Sequence, residues 1–162
     1  MVAVFGTAIV SLLFLKSFVL DVGQVNGVSM EPTYVDQDRF FVNKVEYFFR
    51  RPGRQDIVQI IDPGQSKLLL KRVIGLPNET VVIKQGKVFI RSQGSQEEIL
   101  LVEAYLPSTS YTTIPLQKAP QRYSLGSDEY FVLGDHREQS TDSRVYGAVH
   151  RSRILGSVMG KL

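Results

Sequence analysis

The chain has 162 residues, enough for one domain of ordinary size with its own core. It contains no cysteine, which excludes disulfides, thiolate chemistry and cysteine-ligated zinc while leaving the redox compartment open. Its formal charge of +3 comes from scattered basic residues with no nucleic-acid-binding motif, so an anionic membrane surface fits the balance better than a nucleic acid.

Residues 2–15 carry no charge; Lys16 interrupts, and Ser17-Phe18-Val19-Leu20 extends the apolar character to about the twenty residues that cross a bilayer. Lys16 can snorkel into the headgroups. Residues 1–20 therefore read as a single transmembrane anchor. A cleaved export signal fits less well, because no basic segment precedes the stretch and no Ala-x-Ala-like end stands before Asp21. A buried core helix is the other alternative. Charge alone does not orient the span. Only eight residues separate Leu20 from Ser29, at most about 30 Å of extended chain, so Ser29 works near the membrane surface.

Residues 21–162 read as a predominantly antiparallel β domain. β-branched and aromatic runs predict strands at Arg39-Phe40-Phe41-Val42-Asn43 and Ile57-Val58-Gln59-Ile60-Ile61. Thr80-Val81-Val82-Ile83-Lys84 and Lys87-Val88-Phe89-Ile90-Arg91 flank Gln85-Gly86 as a hairpin. Glu129-Tyr130-Phe131-Val132-Leu133 and Ile154-Leu155-Gly156-Ser157-Val158 supply later strands, and no amphipathic helix of useful length follows the anchor. Between strands, Phe48-Phe49-Arg50-Arg51-Pro52-Gly53-Arg54 is either a lipid-touching segment or an ordinary solvated turn. Residues 92–127, rich in Ser, Gln, Thr and Pro, read as a mobile, variable excursion.

Chemistry centres on Ser29, whose hydroxyl needs a base to become a nucleophile. Gly27-Val28-Ser29-Met30-Glu31 lacks the final glycine of a nucleophile elbow, although a triad of Ser29, His136 and Asp142 stays open because triads are defined in space. Lysine is the other base. In Leu68-Leu69-Leu70-Lys71-Arg72-Val73-Ile74, alternation puts Leu69, Lys71 and Val73 on one strand face, where burial would lower the amine pKa; an edge strand would instead leave Lys71 solvated.

Three segments taken together resemble the type I signal peptidase family: Ser29-Met30-Glu31-Pro32-Thr33, Lys71-Arg72-Val73-Ile74-Gly75-Leu76-Pro77, and Gly134-Asp135-His136-Arg137-Glu138-Gln139-Ser140-Thr141-Asp142-Ser143-Arg144. The resemblance implies a membrane-bound endopeptidase that cuts signal peptides from exported preproteins after Ala-x-Ala. Ser29 would be the nucleophile and Lys71 the general base, with no metal and no cofactor. It implies that Ser140 orients the Lys71 amine and that Asp142 with Arg144, and Asp135 with Arg72, form structural ion pairs. Gly27, Met30, Leu69 and Leu70 are the expected pocket-lining residues. The substrate would add as a strand between the segments entering Ser29 and Lys71. The Ser29 N–H would hold the oxyanion; Gly27 stands where some family members carry a further hydroxyl. It also implies a bacterial cytoplasmic membrane location, with residues 21–162 on the extracytoplasmic side. Gln55, Asn78-Glu79 and His136 depart from the family's usual residues. A self-cleaving regulatory protease would need a DNA-binding region and a scissile bond upstream, and neither precedes Ser29. An inactive β module for partner binding would not require both Ser29 and Lys71.

Overall fold

The computed structural model describes residues 19–113 and 122–162. The anchor expected over residues 1–20 lies almost wholly outside them, and among the described residues no helix is long and apolar enough to cross a membrane. The rest is β. Strands β1 (Leu20–Gln24), β2 (Arg39–Asn43), β3 (Ile57–Ile61), β4 (Leu68–Gly75), β5 (Thr80–Lys84), β6 (Lys87–Arg91), β7 (Ile99–Leu100), β8 (Arg122–Ser124), β9 (Glu129–Leu133), β10 (Val149–His150) and β11 (Ile154–Lys161) are joined by two single-turn helices. These helices are α1 (Glu46–Phe49) and α2 (Ser143–Tyr146).

The strands form a larger sheet of order β1-β2-β11-β3-β4-β9-β10 and a smaller one of order β7-β6-β5-β8. Every pairing is antiparallel. The Gln85-Gly86 turn closes β5 on β6, with Lys84 opposite Lys87 and both turn residues at positive φ (51° and 73°), as a two-residue hairpin requires. Two of the family departures also sit at left-handed positions, Gln55 at φ 70° and Asn78 at φ 65°. Asn tolerates that conformation through its short polar side chain; Gln55 occupies it with its N–H bonded to Val73 O and its side-chain amide to Val102 O.

β4 links the sheets. Its first residues pair with β3, from Leu68 opposite Ile61 to Arg72 opposite Ile57, and after Gly75 the chain turns into β5. Alternation holds along it: Leu69 and Val73 pack with Val58, Ile60 and Val132, whereas Leu70 packs with Val25, Met30, Phe40 and Val42. A third cluster, with Ile74, Val81, Ile83 and Phe131, fills the space beside the small sheet. β9 joins β4 only from Arg72 onward, so residues 68–71 have one unpaired edge. β1 is an end strand and has another.

Candidate active site

The loop after β1 carries Ser29, and the middle of β4 carries Lys71. Lys71 Nζ and Ser29 Oγ lie 2.7 Å apart and are hydrogen-bonded. Lys71 is 2% exposed, between Leu69 and Val73 on its strand face. Burial pushes its amine down to about 8, against the pull of the Asp142 and Asp135 carboxylates, which favour the charged form. A solvated edge-strand lysine is excluded.

The turn after β9 holds this pair in place. His136 N donates to Ser29 O at 3.1 Å. A Cβ on Gly134 would stand 2.2 Å from Ser140 Oγ and 2.3 Å from Ser29 O, so the Ser29 loop and this turn meet at a position only glycine can occupy. Arg72 Nε and Nη2 fork the Asp135 carboxylate at 2.8 and 2.6 Å, and Thr33 Oγ1 donates to the same carboxylate at 2.5 Å. Arg144 forks Asp142 at 2.8 Å on both oxygens; Asp142 also accepts from Gly134 N and caps α2.

This carboxylate is therefore committed to arginine, and the His136 ring does not bond it: His136 Nδ1 is buried without a hydrogen-bond partner. The Ser29, His136, Asp142 triad is not assembled. His150 is exposed, with Nδ1 against Ser152 Oγ at 2.8 Å.

A serine bonded to a buried lysine amine, on this β scaffold, sets the context for the comparisons. The profile of the family described as signal peptidase, peptidase S26 matches residues 1–161. The chain belongs to this family. Among similar proteins, the signal peptidase I of Leptolyngbya laminosa is 33% identical over 159 residues, covering 93% of this chain and 72% of that protein. Signal peptidase I V of Bacillus subtilis is 34% identical over 137 residues, covering 83% of this chain and 81% of that one. A crystal structure of a signal peptidase I from Enterococcus faecalis superposes with a TM-score of 0.54 at 29% identity, covering 67% of this chain and 97% of the other. The protein is thus a serine protease of the type I signal peptidase kind, with the antiparallel β fold of that family.

The remaining residues singled out in this peptidase fall on both sides of the site. Ser140 Oγ is buried beside Gly134 and has no hydrogen-bond partner, so it makes no bond to Lys71 in this arrangement. Leu69 and Leu70 line a cleft of about 310 Å³ together with residues 21–26, Ser29, Phe40 and Gln59. Met30 does not line it: its side chain is fully buried against Val25, Tyr34 and Leu70, because the chain turns its apolar residue inward one step past Ser29. Gly27 is exposed, sits at φ 98° and donates its N–H to Asp36 Oδ1 at 2.7 Å, a backbone conformation that favours glycine there.

Sequence reasoning missed the supports contributed by the excursion. Arg137 is almost wholly buried and donates to Gly134 O, to Thr112 Oγ1 at 2.6 Å and to the Glu103 carboxylate. The Tyr105 ring lies 3.8 Å from the Arg72 guanidinium carbon, and Thr113 O accepts from Arg144 at 2.9 Å. Residues 103–113 therefore brace three arginines around the site, Arg72, Arg137 and Arg144. Glu103 beside an apolar patch was the one available signal, and nothing local told which cation it served.

Proposed function

We propose that this peptidase is a single-pass membrane enzyme of a bacterial cytoplasmic membrane that removes signal peptides from exported preproteins after an Ala-x-Ala-like sequence. Residues 1–20 are its anchor and residues 21–162 its extracytoplasmic catalytic domain. The observation that carries the reading is the 2.7 Å contact between Ser29 Oγ and a buried amine whose pKa lies near 8. Bacterial relatives named signal peptidase I support the substrate class.

The neutral Lys71 amine accepts the Ser29 proton as Oγ attacks the scissile carbonyl carbon. The Ser29 N–H faces the negative charge that develops on the carbonyl oxygen. When the tetrahedral intermediate collapses, Lys71 returns the proton to the leaving amine, and the signal peptide stays as an ester on Ser29. A water then attacks that ester while Lys71 takes its proton, and Lys71 gives that proton to Ser29 Oγ as the acyl–oxygen bond breaks. The products are the free signal peptide and the mature N-terminus.

Substrate binding follows from the two unpaired edges. An extended peptide entering the cleft between β1 and residues 68–70 can bond to main-chain groups on both sides, with Leu69 and Leu70 against its side chains. The modest cleft suits small residues next to the cut.

Mass-spectrometric mapping of products from an Ala-x-Ala preprotein tests this. A single cut after the second small residue by wild type, lost in Ser29→Ala and in Lys71→Ala, is expected. Folded wild type that makes no cut overturns the reading.

A further inference from the structure

The run Ile57-Val58-Gln59-Ile60-Ile61 carries one polar residue in an otherwise apolar strand, and the fold buries it instead of turning it to solvent. Gln59 is 7% exposed and lines the cleft that holds Ser29. Among the described residues no group hydrogen-bonds its side-chain amide. A buried polar side chain without a partner is the uncommon case, because an amide left dry and unbonded is costly. Alternation puts Gln59 on the face of Ile57, which packs on the cluster of Val25, Met30, Phe40 and Leu70; in register Gln59 stands opposite Leu70. Its amide is thus a free donor and acceptor set into the floor that Phe40 and Leu70 otherwise make apolar.

The strand edges decide which part of a peptide lies over this floor. β9 takes up the edge of β4 from Arg72 onward, so the residues that run beside 68–70 are those before the cut. In an extended peptide the side chains of the residue next to the cut and of the third residue before it point to one face, about 7 Å apart. The first sits against Ser29, at the Asn26 end of the cleft. The third lies further along β1, toward Gly23. Phe40 stands opposite Gly23, where a Cβ would come within 2.3 Å of its ring, so the Phe40 end of the floor underlies the third residue.

We infer that Gln59 is a specificity-determining residue that favours a hydroxyl, from serine or threonine, at the third residue before the cut. This rests on the cleft being the one that receives signal peptides. In the open cleft water can bond the Gln59 amide. A peptide that fills the cleft displaces that water, and the side chain above Gln59 then supplies the bond or leaves the amide bare. A hydroxyl can donate to Oε1 or accept from Nε2, and a methyl can do neither.

Four model preproteins that differ only in Ala, Ser, Val or Thr at the third residue before the cut test this. They are offered in competing pairs, Ser with Ala and Thr with Val, to the full-length wild type and to Gln59→Met, and the products are counted by mass spectrometry. Competition reads the ratio of kcat/KM values directly, so a partly folded variant does not distort it; Gln59→Leu replaces Gln59→Met if that variant does not fold. For wild type, Ser over Ala and Thr over Val are each expected by about two- to tenfold, the effect of one hydrogen bond. In the variant both ratios should fall to one or below, and serine moved to the residue next to the cut should bring wild type no such advantage. Wild-type ratios near one, a preference that survives the loss of the amide, or an advantage only next to the cut overturns the inference and leaves signal-peptide cleavage standing. Folded wild type that cuts none of the four contradicts both.

Discussion

In the proposed mechanism Lys71 can serve as a base only because the fold bears the cost of burying it. The Lys71 amine falls from 10.5 to about 8, and burial is the cause. Between those two values the unfolded chain binds a proton that the native state has released, so stability rises as pH rises through this window. Above it the penalty is gone; below about 8 both states are protonated and the penalty is constant, about 3 kcal/mol. Lys71→Met should therefore abolish cleavage yet raise unfolding stability at pH 7 by up to about 3 kcal/mol, an advantage that shrinks by pH 10, read by urea titration at both pH values. His136 gives the opposite contrast. Its backbone N–H, not its ring, bonds Ser29 O, so His136→Ala should keep activity within a few-fold of wild type in a peptide-cleavage assay.

At the scale of elements, the site depends on the turn after β9 as much as on β4. Gly134→Ala forces a methyl into Ser29 O and Ser140 Oγ; a stability loss of about 1–3 kcal/mol with a drop in kcat of a hundredfold or so is expected, measured by thermal melts and steady-state kinetics. Arg137→Met leaves the Glu103 carboxylate, 11% exposed, without its cation and should destabilise the domain by about 3–5 kcal/mol in chemical denaturation. These two residues also mark where sequence reasoning stops. β2, β3, β5, β6 and β9 were legible because β-branched and aromatic runs bounded by turn residues have a local cause. The Lys71 face was legible from alternation. α1 and α2 are single turns, too short for any periodicity, and β7, β8 and β10 are set by their partners rather than by their own residues. Residues 92–127 read as an excursion because their composition is polar, yet Tyr105, Thr112 and Glu103 are bound across long sequence separations that no local pattern announces.

For the whole molecule, two sheets joined through β4 bring Ser29 from one end of the chain to Lys71 in its middle and to the turn after β9 near its other end. The cleft opens between two strand edges, and Ser29 lies a short stretch of chain from residues 1–18. With residues 1–20 as the proposed anchor, a bond presented at the edge of a bilayer is the substrate that such a placement fits, and in the proposed mechanism the neutral Lys71 amine acts on it. The most direct measurement is the pH dependence of kcat/KM for one preprotein, run with wild type and His136→Ala. The account predicts that both rise with pH through about 8 as the Lys71 amine loses its proton. A limb near pH 6–7 in wild type, roughly the ordinary histidine range, that vanishes with His136→Ala would contradict it.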